Sequence, residues 1–171
     1  MNKVISTIKS RVSCREYSDK KVSKKNLNEI VECAKSAPSA MNRQIVTITV
    51  ISKKSLMDKL RKLSTKLLNR DCMYGANTII IVSAPRDDRF AYQDCSCVLE
   101  NIFLSATALK ISSCWINQFD ELLSNKEALK LRKKLEISED NVIVGSAILG
   151  YQKENTQIGV KDKSNIKVII K

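Results

Sequence analysis

The chain of 171 residues contains no histidine, and that absence narrows its chemistry before any motif is considered. Ser-His-Asp and Cys-His nucleophilic catalysis are excluded, and with them most transition-metal hydrolysis. Any chemistry must rest on carboxylates, lysines or a borrowed cofactor. Glycine and proline are nearly as scarce, with four and two copies. Without a linker, repeat or low-complexity stretch, a single domain over residues 1–171 is expected. There is no GxGxxG and no GxxxxGK loop, so neither a Rossmann dinucleotide unit nor a phosphate-binding P-loop is supported. The six cysteines form no CxxC pair and have no histidine to complete a zinc set, so no metal is expected and they read as small packing residues of a reducing compartment. No run approaches the roughly 18 apolar residues of a membrane helix, and the first nine residues are amphipathic, unlike a signal peptide. The expectation is a cytoplasmic protein without a membrane partner.

Positive charge, by contrast, is abundant. The net charge is +12, with 22 lysines among the 30 basic residues. They are spread over every segment, and three Phe, four Tyr and one Trp offer little for base stacking. A nucleic-acid partner is therefore not expected, whereas attraction of phosphorylated small molecules is.

Periodicity predicts the elements. Residues 2–10 form a short helical pattern with Val4, Ile5 and Ile8 on one face. Ser23 caps a helix in which Leu27, Ile30, Val31 and Ala34 recur at helical spacing until Ala37-Pro38 stops it. Gln44 to Ser52 reads as a strand. Leu56, Leu60, Leu63 and Leu67 stripe a third helix, and Thr78 to Ala84 is a strand apolar on both faces. Apolar residues wrap most of the surface from Gln93 to Leu109, as expected of a central helix or a subunit interface. Ser113 to Ile116 is extended, Ser124-Asn125-Lys126-Glu127 is a capping box before a helix with Ala128, Leu131 and Leu135 inward, and Asn141 to Tyr151 is a buried strand. The final apolar run, Ile166 to Ile170, is too short to fold alone and is expected to pair with a sheet edge of this or another subunit. Helices outnumber strands in an irregular order, which favours a layered α+β sandwich over a doubly wound sheet.

Three constellations could carry chemistry. In Arg11-Val12-Ser13-Cys14-Arg15, two guanidinium forks and a hydroxyl alternate along extended chain and can grip phosphate oxygens. Ala37 to Gln44 is a polar turn whose hydroxyl and two carboxamides can match the donor and acceptor edge of a flavin. The end of the central helix, running through Ser113-Cys114-Trp115-Ile116-Asn117-Gln118, offers backbone N–H groups beside apolar side chains, suited to a flat ring.

In this order and spacing, these segments, with Tyr74-Gly75-Ala76, Asp94 ahead of Glu100-Asn101 and Leu104-Ser105-Ala106, and Leu149-Gly150-Tyr151, resemble the FMN-dependent nitroreductase family. The resemblance implies an α+β fold, a layered α/β/α sandwich with a mixed sheet and a C-terminal strand exchanged between the subunits of a homodimer. It assigns Arg11, Ser13 and Arg15, with the backbone of Val12, to the phosphate and ribityl chain of FMN. Pro38, Ser39 and Asn42 would come from the partner subunit. Asn69 would meet the pyrimidine edge, Trp115, Ile116, Asn117 and Gln118 would supply a backbone hydrogen bond to flavin N5, and Lys161 and Lys163 would close over the phosphate. This sequence departs from the family pattern at Lys110 and Ser112, which replace glycines, at Cys72, which replaces a frequent lysine, and at Lys163, which replaces an arginine.

The implied activity is transfer of hydride from NADH or NADPH through FMN to a small nitroaromatic or quinone acceptor, one site serving both half-reactions in a ping-pong cycle with no protein acid required. The alternative is an FMN-binding sensor or reservoir with little turnover. Cys14, inside the phosphate segment, reads as a packing residue whose thiol nearby cations could activate.

Overall fold

The computed structural model describes residues 2–156, 159 and 162–171. The β-branched runs assemble into one sheet of four strands: β1 (Thr47–Ile51), β2 (Thr78–Pro85), β3 (Ser112–Ile116) and β4 (Asn141–Gly150), in the order β1-β2-β4-β3. β2 and β4 are the two inner strands and are buried on both faces, which is why their sequences are continuously apolar instead of alternating. Ile79 and Ile81 face one layer, Ile80, Val82 and Ala84 the other. Each fully buried isoleucine contributes about 1.5–3 kcal/mol, so this pair of strands forms the stable centre of the molecule.

Every pairing between the four strands is antiparallel. The parallel component expected of a mixed sheet is confined, among the described residues, to one bridge between Ser13 and Ser113. The chain around Ser13 thus lies as a strap along the outer edge of β3, leaving β1 as the uncovered edge.

Helices cover both faces, giving the α/β/α layering. One layer holds α2 (Lys24–Lys35) and α4 (Ala91–Ala108), the other α3 (Lys54–Leu68), α5 (Phe119–Ser124) and α6 (Leu129–Lys134). Ser23 caps α2 by accepting the Asn26 N–H at 3.2 Å, and Leu27, Ile30 and Ala34 turn inward. α3 ends where Asn69 takes a left-handed conformation, which asparagine tolerates better than most residues. In α4, eight residues from Ala91 to Ala106 are buried, while Cys97 is exposed.

Several expectations are corrected. β1 begins at Thr47 instead of Gln44 because Gln44 has φ 54°, which no strand residue can adopt. Ser124 does not open a capping box; it ends the separate helix α5, and its hydroxyl accepts from Arg132 at 2.9 Å. Asn125 performs the capping, accepting the Glu127 N–H ahead of a short 3-10 turn. Ala128 and Leu135 are buried as expected and Leu131 packs at the margin. The apolar side of α1 (Lys3–Ser10), with Val4, Ile5 and Ile8, faces outward. Ile166 to Ile170 forms no strand within the single chain, and Ile170 is 91% exposed.

Candidate functional site

α1 stops at Arg11, whose backbone turns extended, and the next residues run beside β3. Cys14 N–H donates to Ser113 O at 2.9 Å, Ser18 N–H to Tyr151 O at 2.8 Å, and Lys153 N–H to Glu16 O at 3.2 Å. The strap is therefore sewn to β3 on one side and to the segment after β4 on the other. Its underside is anchored by Cys14 and Tyr17, the Tyr17 hydroxyl donating to Cys14 O at 3.0 Å. Tyr17 packs so closely over Gly150 that a Cβ there would lie 2.8 Å from the ring. Burial, with the Cys14 and Cys114 sulfurs nearby, pushes the Tyr17 hydroxyl far above its ordinary pKa.

This fastening gathers the expected phosphate groups. Burial pushes the Cys114 thiol up, opposed by the Arg15 cation, by hydrogen bonding to Ser13 and by the Arg11 cation, and the bridge between Ser13 and Ser113 lays this segment along β3. Neither Arg11 nor Arg15 forms an ion pair among the described residues. A hollow of about 180 Å³ on the same strap is lined by Ser10, Val12, Cys14, Thr107, Lys110 and Ser113, with Arg11, Ser13 and Arg15 outside its wall, and the buried Ser113 hydroxyl has no hydrogen-bond partner among the described residues. Two guanidinium groups without ion pairs among the described residues and a hydroxyl at Ser13, alternating along extended chain, are donors of the kind that fit an anionic phosphate.

Trp115 follows on β3, half-exposed, its ring 5.8 Å from Phe103 and laid across Gly145, where a Cβ would come within 2.7 Å. Its Nε1 donates to Asn117 Oδ1 at 3.3 Å. Ile116 turns into the core and leaves only its backbone to a ligand, while Asn117 is exposed and Gln118 precedes α5. This edge can support a flat ring. Asn69 is exposed at the end of α3, and the loop that follows is set by Asp71, which accepts from Met73 N–H at 2.9 Å and Gly75 N–H at 3.0 Å. Cys72 and Met73 of that loop share a core with Cys14 and Cys114, so Asn69 belongs to the same side of the molecule as the strap. Lys163 is exposed on the tail, and Lys161 lies outside the described residues.

The Pro38 turn is elsewhere. Pro38 and Asn42 are exposed; Ser39 Oγ accepts from Gln44 N–H at 3.1 Å, and Asn42 Oδ1 from Gln44 Nε2 at 2.9 Å. Met41, Asn42 and Gln44 all have φ near 54°. Two supports hold the turn to the region where α4 begins: Asp94 Oδ1 accepts the Ala40 N–H at 3.0 Å, and Asp88 takes both Arg43 terminal nitrogens at 2.6 and 2.9 Å. The Arg43 guanidinium holds the Asp88 carboxyl below its usual range. No hydrogen bond or ion pair among the described residues joins this turn to the Arg11–Arg15 strap, whose hollow is lined by Thr107 near the far end of α4. From Asp94 to Thr107 the helix rises roughly 20 Å. Within one chain the two halves of the expected site sit apart.

Asp88 and Gly145, each decisive for how this region is held, were not singled out from sequence. A buried carboxylate inside an apolar helix start was the available signal for the support given by Asp94; nothing local marks Gly145, whose need to be small comes from a tryptophan on the neighbouring strand.

The family model described as Nitroreductase family matches residues 8–151. A protein of Archaeoglobus fulgidus, provisionally named an NADH dehydrogenase/NAD(P)H nitroreductase, is 32% identical over 160 residues, covering 90% of this chain and 88% of that one. The crystal structure of a nitroreductase with bound FMN from Bacteroides fragilis superposes with a TM-score of 0.90 at 30% identity, covering 99% of this chain and all of the other. A second nitroreductase with bound FMN, from Desulfitobacterium hafniense, gives 0.84 at 28% identity with the same coverage.

Proposed function

The chain belongs to the nitroreductase family, and on that premise we propose that it is an NAD(P)H-dependent flavin oxidoreductase that holds FMN between two copies of itself and reduces a small nitroaromatic or quinone acceptor. The observation that carries this reading is the strap: two guanidinium groups without ion-pair partners among the described residues and a serine, fastened beside a half-exposed tryptophan on an edge strand. The whole of residues 1–171 serves as one FMN-binding domain. Arg11, Ser13 and Arg15, with the Val12 backbone, take the phosphate and ribityl chain, and Lys161 and Lys163 close over it. Asn69 faces the pyrimidine edge, and the backbone of Trp115 to Gln118 lies along the ring.

The dimer follows from α4. Its N-terminal end carries the Pro38 turn and its C-terminal end the strap, so a two-fold copy that sets one α4 antiparallel to the other brings Pro38, Ser39 and Asn42 of one subunit over the phosphate and ring held by its partner. The apolar tail has a matching destination. β3 is covered by the strap, which leaves β1 as the free edge, flanked by clefts of about 590 and 890 Å³ that share Val22 and Ser52. Ile166 to Ile170 of one subunit adds a strand to β1 of the other.

FMN, when bound, would supply the redox chemistry, two-electron transfer between NADH or NADPH and the acceptor. The protein's own work is electrostatic and geometric. Its cations hold the phosphate, the Trp115–Phe103 face excludes water from one side of the ring, and N–H donors at the β3 turn and the Asn69 edge stabilise the negative charge of the reduced state. No histidine is needed for any of this. Among the described residues no helix is long and apolar enough to cross a membrane; the six free cysteines support a reducing, cytoplasmic setting.

The test is optical. Purified protein supplied with FMN is expected to turn yellow, to lose the fluorescence of its single tryptophan on binding, and to bleach under anaerobic NADH or NADPH. Protein that stays colourless and oxidises no reduced nicotinamide in the presence of FMN overturns the reading; bound flavin that resists bleaching replaces it with a flavin reservoir.

A further inference from the structure

Asp94 is 4% exposed and uses half of its accepting capacity. Its Oδ1 receives the Ala40 N–H, while Oδ2 is buried without a hydrogen-bond partner. Burying a carboxyl group so sparsely bonded is expensive, and this one stands in the first turn of α4. Among the described residues, the segment it holds has the densest run of left-handed backbone outside glycine. Met41, Asn42 and Gln44, none of them glycine, all occupy the left-handed region within four residues, and such strain persists only where the surroundings over-determine the backbone. The bonds of Ser39 and Asn42 to Gln44 are internal to the turn, and the Arg43–Asp88 pair lies near the surface. Asp94 ties the turn to the buried layer.

Resting on the reading of this turn as the part of one subunit that covers the cofactor of the other, we propose that Asp94 is a positioning residue for the FMN site of the partner subunit. By fixing the Ala40 backbone it sets the outward presentation of Ser39 and Asn42. It touches no cofactor itself, and its effect crosses the dimer interface: the turn that Asp94 holds completes a site whose phosphate groups belong to the other chain.

Two variants remove the contact from opposite sides. Asp94→Ala deletes the acceptor. Ala40→Pro deletes the donor without touching α4, and is compatible with the backbone because Ser39, at φ −133° and ψ 152°, already occupies the region a residue before proline requires. Each is expected to weaken FMN binding about tenfold or more while sedimentation still shows a dimer, and Asp94→Asn, which keeps an oxygen for Ala40, is expected to recover most of the loss. Asn101→Ala, which removes a hydrogen bond from the same helix to Cys33 O at 2.9 Å, is the comparator, with lowered thermal stability but unaltered FMN affinity. Complementation decides the direction of action. In a mixed dimer of Asp94→Ala and Arg11→Ala subunits, one site pairs an intact strap with an intact turn, so one tight FMN per dimer is expected although each parent homodimer binds weakly.

Asp94→Ala and Ala40→Pro homodimers that bind FMN as the unaltered protein does, or mixed dimers that regain no tight site, overturn the proposal while leaving the flavin function standing. Unaltered protein that takes up no FMN overturns the functional reading and the proposal with it.

Discussion

Gly145 shows how strongly one residue can govern this edge of the molecule. The atoms crowding its missing Cβ, at 2.7 to 2.8 Å, belong to the indole of Trp115, a rigid ring that cannot yield by bending as a flexible chain end would. Gly145→Ala must therefore tilt the tryptophan away from β4, and overpacking of this kind costs about 1–3 kcal/mol. The expected outcome is a red-shifted Trp115 emission together with weaker FMN binding, while far-ultraviolet dichroism is preserved; unchanged emission and unchanged affinity contradict the packing argument. At this scale the sequence was legible wherever a residue's chemistry is advertised by its neighbours. Arg11, Ser13 and Arg15 alternate within five positions, and their nearness to one another beside β3 is a local consequence of extended chain. The contact between Asp94 and Ala40 spans 54 residues and has no such signature. Arg132 is the sharper case: it stands among basic neighbours on a short helix, yet it is 2% exposed and donates to Ser124, Ser138 O and Asn141 O. Its burial is set by carbonyls that no periodicity reveals.

Among elements, α2, α3, β2 and β4 were readable because their apolar spacing is long and consistent, so tertiary packing and local preference agree. The misread places are those where a neighbour outbid the local signal. Ser124 is drawn off as an acceptor for Arg132, and the strand read from Gln44 is delayed by a turn whose shape is fixed by α4. The tail reads as a short apolar run in need of an edge, and with the Ser13 strap along β3 the sheet edge left open among the described residues is β1. If Ile166 to Ile170 augments β1 of the partner, removing residues 166–171 deletes that strand yet keeps Lys161 and Lys163. The shortened chain is expected to dissociate into monomers at concentrations where the full chain is dimeric, and to release FMN as it does so, since half of each site departs with the partner. A truncated chain that remains an equally tight dimer by sedimentation excludes this use of β1, and the free edge then requires another cover.

For the molecule as a whole, the governing quantity is a net charge of +12, spread along the whole sequence. Such a field does not select a polyanion by shape, but it raises the local concentration of any small dianion, and in the proposed site the strap guanidinium groups, without ion pairs among the described residues, are where that attraction ends in a specific grip. FMN and riboflavin share the same ring and differ in the phosphate, which makes them a direct probe of this effect. Raising ionic strength from about 0.01 to about 0.15 M shortens the screening length from roughly 30 to roughly 8 Å, so the association rate of FMN is expected to fall several-fold, mostly before contact is made. Riboflavin, lacking the charge, should bind weakly and at a rate nearly indifferent to salt. The dissociation rate of FMN should respond far less, because the Arg11 and Arg15 contacts act at short range, where screening is slight. Equal salt dependence for the two flavins would instead place the sensitivity in subunit association, in which two chains of like charge must approach each other. That alternative is separable, since it predicts tighter dimers and faster flavin uptake at high salt, the opposite sign from phosphate steering.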